Sequence, residues 1–137
     1  MEREFAARLL IDAGTPAPAA DLIAAVSHIE AEFAATNTTG LIHASAGLAA
    51  AAQRYGLVIG SAGGSAPRSP LGHTWVFGGG YVEGLGSTIV GTSPTFGWRD
   101  QPVLREAVET RYNQFVAVAE RSVVIGYEHA VAAAAIT

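Results

Sequence analysis

Residues 112–127, Tyr-Asn-Gln-Phe-Val-Ala-Val-Ala-Glu-Arg-Ser-Val-Val-Ile-Gly-Tyr, constrain this chain more than any other stretch. They contain no proline, one glycine near the end, and many Val, Ile, Phe and Tyr, the residue types that suit a pleated, half-buried surface. Taken by twos, one face carries Phe115, Ala117, Ala119, Arg121, Val123, Ile125 and Tyr127. The other carries Gln114, Val116, Val118, Glu120, Ser122 and Val124. Both faces are mixed, with Glu120 and Arg121 in the middle. The pattern predicts a strand covered on both sides near its ends and wet at its waist. At ~3.3 Å per residue, about fifteen residues span roughly 50 Å, whereas a domain of this size has a radius of gyration of about 14 Å. Either the strand bends or breaks at Glu120–Arg121, or the molecule is elongated, and elongated subunits usually belong to assemblies.

Length and charge narrow the field further. A chain of 137 residues is one domain by size and long enough to bury a sizeable core. Only 15% of it is charged, below the ~25% of an ordinary soluble domain, which suits a surface covered by a partner. The net charge of −4 argues against nucleic acid as a direct ligand, because phosphate neutralisation needs clustered cations. All eight basic residues are Arg and none is Lys, which reads as composition bias. The absence of Cys excludes disulfides, thiolate metal sites and Cys nucleophiles. The N-terminus interleaves charges with apolar residues and has no apolar core of a signal peptide, and the Ala130–Ile136 run is too short to cross a bilayer. The default expectation is a soluble, intracellular protein.

Along the chain, residues 2–12 predict a short amphipathic helix with Phe5, Leu9 and Ile11 on one side, stopped by Gly14-Thr15-Pro16. A second helix is predicted from about Ala17, with Leu22, Val26, Ile29 and Phe33 forming one stripe at steps of four, three and four. Thr36 to Gly40 close it. Leu41–Ala44 reads as a strand, Ser45 as an N-cap for a helix through Tyr55, and Gly56 as its stop. Leu57–Ile59 reads as another short strand and Gly60–Pro70 as a surface loop. His73–Phe77 and Thr88–Val90 read as strands, Gly78–Gly80 as a turn or bulge leading into Tyr81-Val82, and Ser93-Pro94 and Trp98–Pro102 as turns. Leu104–Glu109 fits a helical turn or a strand and reads as a short strand or irregular lead-in to the long one, Glu128-His129 as a turn, and Ala130–Ile136 as a last short strand. Helices first and strands later predict an α+β fold: N-terminal helices followed by a mainly antiparallel sheet with a long C-terminal strand.

No motif carries a reaction. A phosphate loop of Walker type needs a Lys that this chain lacks, and a dinucleotide fingerprint on Gly78 and Gly80 meets Glu83 where a glycine belongs. No Ser sits in a nucleophile elbow. His28, His43, His73 and His129 show no zinc spacing. His28 and Glu32 lie one helical turn apart and read as a solvated pair rather than metal ligands. Glu128 and His129 point to opposite faces of an extended chain, which rules against an acid–base pair. Asn37-Thr38-Thr39 fits a glycosylation sequon but reads as helix termination. Trp75, Phe77, Tyr81, Phe96 and Trp98 concentrate aromatic mass in the glycine-rich middle, as core or interface packing. The residues predict no catalytic, cofactor-binding or metal site. The alternative is a small enzyme or ligand-binding domain with a pocket lined by Trp75, Tyr81, Trp98 and His73.

The run Asn113 to Tyr127, followed by Glu128-His129-Ala130-Val131, resembles the closing segment of tailed-phage major capsid proteins of the Hong Kong 97 fold, in which a long strand with an Ala-Glu-Arg waist runs into an aromatic residue, turns, and ends in a short apolar strand. Gly40–Ala44, Leu71–Tyr81 and Thr88–Pro94 are similar to the middle of actinobacterial-phage versions, so the resemblance covers roughly residues 20–137. It implies a structural role as a subunit of an icosahedral phage or prophage-derived capsid shell, with copies of the chain as partners in pentameric or hexameric rings. It implies no enzyme activity, no specific nucleic-acid recognition and no membrane, and a location in the virion after the bacterial cytoplasm. The chain would supply the axial domain plus part of the peripheral domain, with Gly60–Pro70 near the capsomer axis. The family normally has an N-terminal arm, an extended hairpin loop and a long spine helix, and this sequence has no room for all of them. The Lys–Asn isopeptide bond of some members is impossible without Lys.

Overall fold

The strongest apolar stripe of the sequence sets the position of the core. In the computed structural model, which describes residues 1–60, 65–99, 101, 103–109, 114–120 and 123–137 (103–109, 114–120 and Val123 by their backbone alone), helix α2 runs over Leu22–Ala35. Asp21 caps it, its Oδ1 accepting from the Ala24 amide at 2.8 Å, an interaction worth about 1 kcal/mol. Leu22, Val26, Ile29 and Phe33 are all buried, each contributing about 1.5–3 kcal/mol. The helix starts later than the sequence predicts. Ala17–Ala19 forms a short strand, β1, in which Pro18 is tolerated because the strand lies at a sheet edge.

That sheet has five strands in the order β1, β9 (Ala130–Ile136), β4 (Thr88–Thr92), β2 (Leu41–Ser45), β3 (Thr74–Gly78). The two inner pairings, β9 with β4 and β4 with β2, are antiparallel, and the outer strands β1 and β3 pair parallel to β9 and β2. Alternation along each strand serves two faces. Ile42, Ala44, Ile89, Ala132 and Ala134 pack toward α2, whereas Val90 and Ala133 pack toward helix α1 (Glu2–Ala13). The alanines of β9 are explained by this position: the strand is covered by a helix on each face, and small side chains let both come close.

On the second face, α1 buries Ala6 and Leu9 against Tyr81, Leu85, Val90 and Ala133. Ile11 does not join this stripe and is exposed, because it stands two residues from Leu9 and so on the opposite side of the helix. Gly78–Gly80 leads into a helical turn, α4 (Tyr81–Gly84). A Cβ on Gly84 would lie 2.5 Å from that of Ala6, so α1 and α4 meet at a glycine. Ser45 caps a 3₁₀ turn, Ala46–Leu48, its Oγ accepting from the Gly47 amide at 3.3 Å, and that turn runs on into helix α3 (Ala49–Arg54), whose own N-cap is Leu48. Leu57–Ile59 contributes only an isolated bridge, Ile59 with Arg68. Residues 61–64 of the predicted loop lie outside the described residues.

The predicted long strand is two strands with different partners. β7 (Gln114–Glu120) pairs antiparallel with β6 (Val103–Glu109), from Val103 opposite Glu120 to Glu109 opposite Gln114. β8 (Val123–Tyr127) pairs with β5 (Thr95–Arg99). The pairing is nested, β5 and β8 outside, β6 and β7 inside. Between β5 and β6 the sequence holds Pro102, which has no N–H to give a ladder. The waist residue Arg121, the start at Tyr112–Asn113, and Asp100 and Pro102 of the predicted turn lie outside the described residues. The chain divides into two compact units: Met1–Pro94 with Tyr127–Thr137, and the ribbon Thr95–Gly126.

Candidate functional site

Of the four residues of the alternative pocket, the three in the first unit, Trp75, Tyr81 and His73, do not share one. Trp75 is buried on the α2 face of the sheet, stacked on Phe77 with centroids 5.0 Å apart, and its indole N–H donates to the Leu57 carbonyl at 2.8 Å. Tyr81 lies on the opposite face. His73 stacks on Phe33 at 4.1 Å near the C-terminal end of α2. Trp98 belongs to the ribbon. His28 and Glu32 form no ion pair, and among the described residues no group of three or more His, Asp or Glu side chains gathers to hold a metal ion.

Sequence reasoning passed over a buried polar chain across the middle of the sheet. His43, 1% exposed, contacts Tyr81 Oη through Nδ1 at 3.2 Å and Thr92 Oγ1 through Nε2 at 2.9 Å. Thr92 Oγ1 in turn donates to the Ser93 carbonyl at 2.9 Å. That last bond uses the threonine's only proton, so its oxygen accepts from His43 Nε2–H. His43 Nδ1 is then the lone-pair nitrogen and accepts from Tyr81 O–H. Every group is satisfied while the imidazole is neutral. Burial pushes the His43 pKa down to about 4 and, with the nearby Glu2 charge adding to it, pushes the Tyr81 hydroxyl up to about 12. Phe5 closes the chain from above, edge-on to His43 at 5.8 Å. The signal was a lone His in an apolar strand, which has no local partner to reveal it. With His43, Thr92 and Tyr81 all buried, this closed chain organises the core.

Ser93 fastens the two ends of the ribbon's excursion to each other. Its Oγ accepts from the Glu128 and His129 amides, both at 3.0 Å, and its own N–H donates to the His129 carbonyl at 2.8 Å. Glu128 and His129 form the expected turn, and both are exposed. Tyr127 then donates through Oη to Asp12 Oδ2 at 2.7 Å, tying the returning chain to α1. That bond, helped by Arg8, holds the Asp12 carboxyl below its ordinary range despite the opposing effect of desolvation.

The ribbon itself carries the candidate surface. All five residues of β5 are exposed, including Phe96 at 44% and Trp98 at 69%, and Val124 and Ile125 on β8 are 58% and 46% exposed. Phe96 and Trp98 stand two apart on one face of β5, ring centroids 5.3 Å apart in an edge-on pair. The Phe96 ring lies where a side chain on Gly126 would stand. An isolated two-stranded ribbon is marginally stable in water and ordinarily needs a third strand or a packed face. Among its described side chains, Phe96, Trp98, Val124 and Ile125 are large apolar groups left at the surface.

No family model, curated protein or solved structure matches the chain. No described helix is long and apolar enough to cross a membrane.

Proposed function

We propose that this protein is a structural subunit that associates with copies of itself, of the kind that builds an icosahedral phage or prophage-derived capsid shell. The observation that carries the reading is the ribbon Thr95–Gly126, two strands wide in each of its pairings, with Phe96, Trp98, Val124 and Ile125 exposed. Covering each of these side chains by a neighbouring copy gains roughly 1–3 kcal/mol, a driving force for association that is set against its entropic cost.

The resemblance of residues 20–137 to capsid proteins of the Hong Kong 97 fold supports the same role, and an α+β unit with a strand excursion suits it. On this reading the chain carries out no reaction; its partners are further copies in pentameric or hexameric rings, and its place is the virion. The test is the mass of the purified chain in solution with electron imaging of the same sample. Rings or shells support the proposal, and a strict monomer at high concentration overturns it.

A further inference from the structure

Helix α1 lies over the buried His43 chain and is tied down through acids. Among the described residues, three polar contacts join its side chains to the rest of the first unit. Glu2 Oε2 accepts from the Gly80 amide, Arg3 pairs with Glu83, and Asp12 Oδ2 accepts from Tyr127 Oη–H at 2.7 Å. Each contact runs through a carboxylate, which loses its charge on protonation. The apolar hold is modest, since α1 buries Ala6 and Leu9 where α2 buries five side chains. No side chain caps the start of α1, and it ends on Gly14 at φ 73°, a left-handed conformation that glycine adopts without strain.

The floor beneath the helix responds to protons as well. Phe5 stands edge-on to both His43 and Tyr127, its centroid 5.8 Å from each. A proton on His43 Nδ1 places a second donor against Tyr81 O–H and leaves a charge that Phe5 screens from water. Departure of the helix admits water to that charge. Burial holds His43 down at about 4, and the Tyr127 hydrogen bond holds Asp12 below its ordinary range. Both shifts have the same sign: with α1 in place these groups bind protons less readily, so acid favours its departure.

The other charges around the helix do not oppose this. Glu4 meets the Met1 ammonium and Arg8 meets Asp12, both within α1. The strands it lies on, β4 and β9, carry no titratable side chain, and α4 offers only Tyr81 and Glu83. Glu128 and His129, beside Tyr127, are exposed. Once the carboxylates are neutral, Arg3 and Arg8 remain on α1 with the same sign as a protonated His43.

We propose that α1 is an acid-released strap: as His43 beneath it and the carboxylates that tie it take up protons, Glu2–Ala13 leaves on the Gly14 hinge while the α2 side of the sheet stays folded, uncovering Tyr81, Leu85, Val90 and Ala133. The two sides can part because Ile29, Phe33, Ile42 and Trp75 pack together with no residue of α1 among them. His43 sets the size of the effect. A rise from about 4 under the helix to about 6.5 in water makes release about a hundredfold easier at pH 4 than at pH 7.

The test is amide hydrogen exchange of the full chain between pH 7 and pH 4, corrected for the intrinsic rate at each pH, comparing Ala6–Ala13 with the buried stretch of α2. The expected result is α1 protection at least tenfold below that of α2 at every pH, falling about a hundredfold by pH 4 in the wild type and less than tenfold in His43→Gln. Asp12→Asn, at an exposed position, should speed α1 exchange at pH 7 and leave α2 exchange unchanged. Wild-type helices that lose protection together at every pH report global unfolding and overturn the strap, whether or not His43→Gln folds. An α1 that opens separately but with no dependence on pH, or with the same dependence in His43→Gln, is ordinary fraying and overturns it too.

Discussion

Acid should unfold this protein partly through one histidine. His43 is neutral in the folded state, with a pKa of about 4, against about 6.5 when unfolded. A depressed pKa means that the unfolded chain binds the proton more readily. The stabilisation is therefore present in full above pH 6.5 and is lost as the pH falls through the window from 6.5 to 4. Each unit of difference is worth about 1.36 kcal/mol, so roughly 2 kcal/mol should be gone at pH 5 and roughly 3 kcal/mol at pH 4. The structural cause is the hydrogen-bond chain, since protonating Nδ1 turns it from the acceptor of Tyr81 O–H into a second donor facing that hydroxyl. The assay is urea unfolding at a series of pH values in the wild type and in His43→Gln, which offers a donor and an acceptor and does not titrate. Subtracting the two curves removes the carboxylates common to both. The reasoning predicts that the wild type loses about 3 kcal/mol relative to the variant between pH 7.5 and pH 4. A difference that stays flat over this window, or that grows in favour of the wild type, would refute it.

Other outcomes follow from single contacts. Gly40→Ala should destabilise by roughly 3 kcal/mol or more, read as the melting temperature, because the added Cβ would lie 1.9 Å from the Thr92 carbonyl oxygen. Phe33→Ala should cost about 3–5 kcal/mol by chemical denaturation, since the ring is fully buried. Tyr127→Phe removes the hydrogen bond that holds Asp12 down. Carboxyl NMR should then show the Asp12 pKa rising toward its ordinary value, and an unchanged value would contradict the contact.

How much of this was readable in advance depends on the range of the interaction. The α2 stripe of Leu22, Val26, Ile29 and Phe33 is a local period, and the cap at Ser45 and the turn at Glu128-His129 are local chemistry. All three stand where the pattern placed them. The strand at Ala17–Ala19 was hidden because its pairing comes from β9, more than a hundred residues later. The division of residues 112–127 between β7 and β8 was half visible. The span argument offered a bend or break at Glu120–Arg121 or an elongated molecule, and the strands do part after Glu120, but the two separate partners β6 and β5 could not be read from one strand. Trp75, Tyr81 and His73 looked like neighbours because all three are close in sequence, and strand alternation and the Gly78–Gly80 turn carry them to different surroundings. His43 and Thr92 are joined only by the register of β2 against β4.

The central claim is that the ribbon exists to be covered by another copy of the chain. Sedimentation equilibrium of the wild type beside Trp98→Ser measures this most directly, because Trp98 is the most exposed of the large apolar side chains described on the ribbon and its loss should leave the Met1–Pro94 unit folded. The account predicts an assembling wild type and a variant whose association is weakened by a factor of ten or more at unchanged circular dichroism. A wild type that sediments as a monomer at every concentration, or an assembly indifferent to Trp98→Ser, would contradict it.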